Sequence, residues 1–189
     1  MEIKAYPRIK NAILLCLLFL GIQIGLGFIF GLIIGILGIS VESTVFGIGN
    51  IVLNLFSFAL VIFIGVKKSK QKFNEIFKFV NVSLDYWLAI IVFMAGFVII
   101  SSEIDNVLTY FLPMPDFLRD TFELIMVKQS FVVSIFLVGI MPGLTEEMFY
   151  RGMILNGLEK NYSNKKAVVI SALLFGIIHL NPWQFVMAF

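Results

Sequence analysis

Two long runs of uncharged residues constrain this chain more than any other feature. Residues 11–39 and residues 43–66 contain no Asp, Glu, Lys or Arg. Each run exceeds the ~20 residues that a helix needs to cross a bilayer. A soluble domain has about 25% charged residues, whereas only 14% of this chain is charged. The runs therefore predict transmembrane helices rather than the core of a soluble domain.

The apolar runs together predict an all-α, polytopic transmembrane helical bundle, because a helix satisfies its own backbone hydrogen bonds in lipid. About five complete spans are expected, near residues 11–39, 45–66, 84–102, 130–158 and 166–180. A sixth apolar run begins at Trp183 and reaches only to Phe189. Since so few residues cannot cross a bilayer, we expect the sixth span to be truncated in this sequence.

Basic residues cluster in three segments of the chain. Residues 1–10, 67–78 and 159–166 carry most of the lysines and arginines, whereas residues 103–128 are mainly acidic. By the positive-inside rule, the basic segments are cytoplasmic and the acidic segment is external. The sequence thus predicts a multi-pass protein of the cell membrane with a cytoplasmic N-terminus.

Small and polar side chains recur at helical spacing in the first two spans. The first span has a row of Gly27, Gly31 and Gly35. Such a row favours close packing between helices. The second span has a stripe of Asn50, Asn54 and Ser57. For this stripe, hydrogen bonding to neighbouring helices is favoured over a substrate path.

The stretch "MPGLTEEMFYRG" places charged residues inside the fourth span. Glu147 and Arg151 are four residues apart, so they can form an ion pair on a helix. Glu146 points about 100° away from Glu147 and faces Tyr150. It therefore lacks a cationic partner on its own helix and is suited to act as a general base. From these residues alone, an alternative is favoured: Thr145 caps a helix whose first turn holds both acidic residues.

His179 is the only histidine in the chain. Its expected depth favours the interpretation of Glu146 as a general base over that of Thr145 as a helix cap. Spans four and five are antiparallel and joined by a turn near residue 162. Glu146 lies 12 residues before residue 158, and His179 lies 13 residues after residue 166. At ~1.5 Å per residue, both groups lie roughly 18–20 Å above the turn. A carboxylate and an imidazole at one depth in a membrane predict a functional site.

The residue types narrow the chemistry of that site. One histidine without an HExxH motif or a cysteine cluster makes a zinc site a poor fit. No GxSxG motif is present, and Cys16 lies in the first span, so no nucleophile with a base is evident. What remains is a water molecule activated by Glu146, oriented by His179 and attacking a carbonyl group. This reaction requires no metal ion, cofactor or covalent intermediate.

The stretches "EEMFYRG" and "FGIIH" resemble the paired EExxxR and FxxxH motifs of the intramembrane glutamic proteases. This family, called CPBP or Abi, includes type II CAAX prenyl proteases and bacteriocin-processing or self-immunity proteins. Glu146, Glu147 and Arg151 match the first motif, and Phe175 and His179 match the second. Two motifs at this separation are a much more specific signal than one EExxxR alone.

The resemblance covers roughly residues 130–189 and implies the N-terminal half of a CAAX-protease-like catalytic region. Residues 1–129 then form N-terminal transmembrane helices with an external linker at residues 103–129. The resemblance implies a helical bundle with a water-filled cavity open to the cytoplasm. It also implies that Glu146 and His179 activate water and that Glu147 and Arg151 support the site.

The implied partners are the lipid bilayer and a peptide or protein substrate, lipidated or otherwise membrane-associated; nucleic acid is not expected. The family also carries later FxxG and HxxxN motifs, and the His and Asn of the second are associated with the oxyanion hole. The sequence ends before either motif, so we expect the 189 residues to be inactive by themselves.

Two other classes of function remain open from the sequence. A non-catalytic membrane scaffold or immunity protein could have the same fold, although it would not need an isolated carboxylate in the membrane. A transporter could use Glu146 and His179 to carry protons. The sequence has no internal repeat of the kind that many transporters show, which mildly weakens that interpretation.

Overall fold

The computed structural model describes residues 5–189, and helices make up most of that range. The eight helices are α1 (Ile9–Ile36), α2 (Thr44–Ser69), α3 (Phe73–Ile76), α4 (Leu84–Phe111), α5 (Asp116–Glu123, continued by a π-helix at Leu124–Lys128), α6 (Phe131–Glu159), α7 (Asn164–Ile177) and α8 (Pro182–Ala188). No β-strand occurs among residues 5–189. The all-α prediction is therefore confirmed.

Four of these helices, α1, α2, α4 and α6, are long and apolar enough to cross a membrane. They support a multi-pass membrane protein. The fifth predicted span, residues 166–180, differs from the structure because α7 has only 14 residues. At ~1.5 Å per residue such a helix is about 21 Å long, which is less than the ~30 Å of a bilayer core. Beyond α7, Leu180 has a left-handed backbone and Asn181 caps the next helix, α8, which begins at Pro182.

The segment expected as an external linker is largely helical. α4 does not end at residue 102 but continues to Phe111, through Glu103 and Asp105. No proline interrupts this stretch until Pro113, and the residue before a proline is disfavoured in a helix. The end of α4 is thus set by Pro113 rather than by the acidic residues.

The core forms where one face of α6 packs against α1, α2 and α7. Phe149 of α6 contacts Phe58 of α2, with ring centroids 5.8 Å apart. Phe58 also contacts Phe19 of α1, at 4.2 Å. The fully buried members of this core include Ala12, Val61, Phe149, Ile154, Leu158 and Ala167. This packing holds the central turns of α6, which carry the EExxxR motif, inside the bundle.

The glycine row and the polar stripe behave differently from the predictions. A Cβ atom added at Gly27, Gly31 or Gly35 would meet no atom within 4 Å, so the row makes no close helix contact in the described chain. α1 instead packs through the face that carries Ala12 and Phe19. Two polar groups of the stripe bond to their own helix rather than to neighbours. These bonds join Asn50 Nδ2 to Phe46 O and Ser57 Oγ to Leu53 O.

Candidate active site

The two glutamates of the EExxxR motif lie in the middle of α6, not at its beginning. The helix is continuous through Pro142, and Thr145 Oγ1 donates a hydrogen bond to the Met141 carbonyl oxygen at 2.8 Å. The interpretation of Thr145 as a helix cap is therefore wrong. A π-helical stretch, Ile135–Ile140, immediately precedes this region. Local π adjustments of this kind allow membrane helices to contain proline.

The predicted ion pair between Glu147 and Arg151 forms. Arg151 Nη1 lies 3.3 Å from Glu147 Oε1, and the two side chains are 45% and 58% exposed. Both residues belong to a nine-residue π-helix, Glu147–Leu155. π-helical turns are rare in proteins as a whole, but those that do occur are often found at functional sites. Because both side chains are substantially exposed, they face a cleft rather than the packed core.

Phe175 of α7 joins the two motifs physically. The Arg151 guanidinium lies over the Phe175 ring, 4.4 Å from its centroid. The ring of His179 meets the same Phe175 ring edge-on at 5.2 Å, and the Tyr150 ring lies 4.8 Å from it. The EExxxR and FxxxH motifs, about 30 residues apart in sequence, therefore form one cluster.

His179 lies just beyond the end of α7 and is only partly buried. Its Nδ1 atom is 2.8 Å from the Phe175 carbonyl oxygen. Because a carbonyl oxygen can only accept, Nδ1 must carry the hydrogen of this bond. In the neutral ring, Nε2 then has a free lone pair and can accept a proton or a hydrogen bond. The backbone thus orients His179 and fixes its tautomer.

Glu146 is also partly buried, on the turn of α6 that carries Tyr150. Within residues 5–189, no hydrogen bond or ion pair links it directly to His179. The structure therefore gathers Glu147, Arg151 and His179 around Phe175 but does not join Glu146 and His179 in a direct contact. In the same range, no three His, Cys, Asp or Glu side chains gather in a way that could hold a metal ion.

A cleft of about 370 Å³ opens beside the ion pair, and the sequence did not reveal its second wall. That wall is the segment around α3. Phe77 packs against Gly152, and Asn156 Nδ2 donates to the Ile76 carbonyl oxygen at 2.8 Å. A Cβ atom at Gly152 would lie 2.5 Å from the Phe77 ring. The glycine that follows Arg151 was the only signal in the sequence for this close approach.

The comparisons with known proteins agree with the motifs. Residues 128–189 match the family model described as type II CAAX prenyl endopeptidase Rce1-like. This match confirms the resemblance to the CPBP and CAAX protease family for the last third of the chain. It covers Glu146, Glu147, Arg151, Phe175 and His179. The comparisons with curated proteins and with solved structures found no match.

Proposed function

We propose that this protein is an intramembrane endopeptidase of the type II CAAX kind, which hydrolyses a peptide bond with water activated by protein side chains. The observation that carries the proposal is the cluster around Phe175. In that cluster, the ring of Phe175 contacts both Arg151 of one motif and His179 of the other. The family match over residues 128–189 supports the same reaction class.

Glu146 is the proposed general base. It is the glutamate of the motif that forms no ion pair with Arg151, since Arg151 is paired with Glu147. A carboxylate without a cationic partner is free to take a proton from water as the water oxygen attacks the carbonyl carbon. The proton then passes to the nitrogen of the leaving amine, and the carbon–nitrogen bond breaks.

His179 is the proposed second contact to the attacking water. Its Nδ1–H bond to the Phe175 carbonyl leaves Nε2 as an acceptor. A water molecule between the Glu146 carboxylate and Nε2 would donate one hydrogen bond to each of them. A lone pair of the water oxygen would then point toward the substrate. Arg151, which is paired with Glu147, stacks on Phe175. The proposed role of the ion pair is to hold that ring, and thereby His179, in position.

The proposal is tested with the full-length protein in lipid nanodiscs and a prenylated peptide that ends in a CAAX sequence. Cleavage is measured by mass spectrometry. We expect Glu146→Gln to lower the rate by ~10²-fold or more, because the variant keeps the size of the side chain but removes the base. Glu103→Gln is the matched control, since Glu103 lies on α4, outside the cluster. It should cleave like the original protein.

Two results would contradict the proposal. Full cleavage by Glu146→Gln would show that the Glu146 carboxylate is not the general base. Loss of cleavage with a chelator, followed by recovery with zinc, would establish a metal-dependent reaction in place of the proposed one.

A further inference from the structure

The side chain of Tyr150 lies where the core of the bundle meets the candidate active site. It is 1% exposed and belongs to the main core cluster. Its ring contacts the Phe175 ring, with centroids 4.8 Å apart and planes inclined by 57°. Arg151 and His179 contact the same ring, but the first is exposed and the second only partly buried. Of these three groups, only Tyr150 is itself enclosed by the core.

The core holds the Tyr150 side chain in one place. Its hydroxyl oxygen accepts a weak hydrogen bond from Cys16 Sγ of α1, with sulfur and oxygen 4.0 Å apart. The neighbouring ring of Phe149 meets it edge-on at 5.0 Å. A buried side chain among close-packed neighbours has little freedom to change rotamer. The ring of Tyr150 can therefore serve as a fixed support for a group packed against it.

α7 contacts Tyr150 at two successive turns. Ser171 Oγ donates a long hydrogen bond, 3.4 Å, to the Tyr150 carbonyl oxygen. Phe175, four residues later, contacts the Tyr150 ring, and His179 follows at the same spacing. Residues four apart lie on one face of a helix. Because the His179 ring contacts both the ring and the carbonyl oxygen of Phe175, its direction depends on how this face meets Tyr150.

We propose that Tyr150 is a positioning residue, whose ring sets the orientation of the His179 imidazole through Phe175. The ring has this role rather than the hydroxyl, because the ring contacts Phe175 whereas the hydroxyl meets Cys16 on α1. The consequence for catalysis rests on the proposed function. The orientation of His179 does not, since it can be measured without a substrate.

Three variants of the full-length protein separate positioning from a contribution to stability alone. Tyr150→Leu removes the ring, and Tyr150→Phe keeps it. Phe149→Leu is the matched control, because Phe149 is fully buried on the same helix but packs against Phe19 and Phe58. Both leucine variants remove one aromatic ring from one core, so both should lower the melting temperature by similar amounts.

The first measurement is the NMR spectrum of the protein with ¹³C-labelled histidine. The signals of His179 are those that disappear in His179→Asn. The imidazole protons lie within the ring-current field of Phe175, since the two ring centroids are 5.2 Å apart. A movement of either ring therefore changes their chemical shifts. We expect a clear change in Tyr150→Leu, and nearly the original shifts in Tyr150→Phe and Phe149→Leu.

The second measurement is cleavage of the prenylated CAAX peptide in nanodiscs. Misplacement of a reacting group by about 1 Å can lower a rate by ~10²-fold. Tyr150→Leu should accordingly lower kcat by roughly 10- to 10²-fold with little change in KM, because the substrate still binds. Tyr150→Phe should restore most of the rate, and Phe149→Leu should cleave like the original protein.

Three results would overturn the proposal. The first is that the His179 signals move in neither leucine variant, and the second is that they move equally in both. The third is that Tyr150→Phe loses as much cleavage as Tyr150→Leu, since the hydroxyl would then be the essential group. If Tyr150→Leu does not fold, Tyr150→Met takes its place, because the flexible methionine side chain fills more of the space.

Failure of the proposed function gives a different pattern. The original protein would then not cleave the peptide, while the His179 signals would still move in Tyr150→Leu and not in Phe149→Leu. That pattern would support the positioning of His179 by Tyr150 and reject the peptidase reaction alone.

Discussion

At the scale of single residues, the position of His179 depends on the residues that follow it. Leu180 has φ 56°, a left-handed conformation that is unfavourable for a residue with a side chain. Asn181 stabilises this turn because its Nδ2 donates to the His179 carbonyl oxygen at 3.0 Å and its Oδ1 accepts from Gln184 N at 2.8 Å. His179 is thus held by hydrogen bonds to its ring and to its backbone.

Replacement of His179 can distinguish the roles of its two ring nitrogen atoms. Asparagine can reproduce the Nδ1–H bond to the Phe175 carbonyl but has no counterpart of Nε2. We expect His179→Asn to keep the melting temperature in detergent within a few degrees and to lower peptide cleavage by ~10²-fold. A large loss of folded protein, or undiminished cleavage, would contradict the role given to Nε2.

Replacement of Glu147 should affect stability only modestly. The ion pair with Arg151 is about half exposed, and exposed pairs contribute about 0–1 kcal/mol. Glu147→Gln should therefore change the melting temperature little, whereas Arg151→Ala should reduce it more because it also removes the contact with Phe175. Thermal unfolding of both variants in the same detergent measures the difference, and an equal loss in both would be inconsistent with the stacking contribution.

At the scale of elements, α6 packs closely against the segment that leads into α1. Gly157 lies against Pro7, where an added Cβ atom would be 2.5 Å from the Pro7 backbone nitrogen. Asn161 adds a hydrogen bond from Nδ2 to the Ala5 carbonyl oxygen at 2.8 Å. The end of α6 that follows the EExxxR motif is therefore fixed to residues 5–7.

A methyl group at Gly157 should separate these two segments. The atoms it would meet are Cδ of the Pro7 ring and the backbone atoms Pro7 N and Tyr6 C. Because the proline ring is closed onto the backbone, none of these atoms can move aside as the end of a flexible side chain can. We expect Gly157→Ala to lower the free energy of unfolding by about 1–3 kcal/mol, the usual effect of overpacking. Gly139→Ala, also on α6, has no atom within 4 Å of the new group and serves as the control. Equal stability of the two variants by thermal unfolding would rule out the contact.

The sequence predicts the helices well where composition determines their bounds. It predicts them less well where backbone geometry determines where a helix ends or which type it is. The uncharged runs correctly predicted α1 and α2, because length and hydropathy determine a membrane span. The end of α7 was misplaced because the residues that follow it are mostly apolar, with Ile178 and Leu180 on either side of His179. Hydropathy does not register the left-handed backbone of Leu180. The π-helical turns of α6 were likewise beyond a prediction based on ideal α-helical spacing.

The candidate site was predictable in its residues but not in its contacts. The charges and the single histidine singled out Glu146, Glu147, Arg151 and His179, and helical spacing predicted the ion pair. The role of Phe175 as the contact between the motifs depends on how α7 packs against α6. Such packing depends on distant residues, so one sequence does not reveal it.

At the scale of the whole molecule, the distribution of charge gives an orientation that can be measured. We propose that the loops holding Lys70 and Ser163 are cytoplasmic and that Asp116 is external, as the positive-inside rule predicts. Cysteines at Lys70 and Ser163 should react with a membrane-impermeant reagent only after the cells are opened, whereas one at Asp116 should react in intact cells. The native Cys16 is buried and provides the background. Reaction of Asp116→Cys and Ser163→Cys from one side would disprove the orientation.

The connection between α4 and the rest of the molecule can be followed by tryptophan fluorescence. No residue of α4 is buried, and the hydrogen bond from Trp183 Nε1 to the Leu112 carbonyl oxygen, at 3.0 Å, links α8 to the end of α4. Trp183 is 6% exposed, whereas Trp87, on α4 itself, is 54% exposed. The two indoles, the only ones in the chain, are therefore distinct chromophores. The emission of Trp183 reports whether α4 and α8 remain joined, and that of Trp87 reports the surroundings of α4.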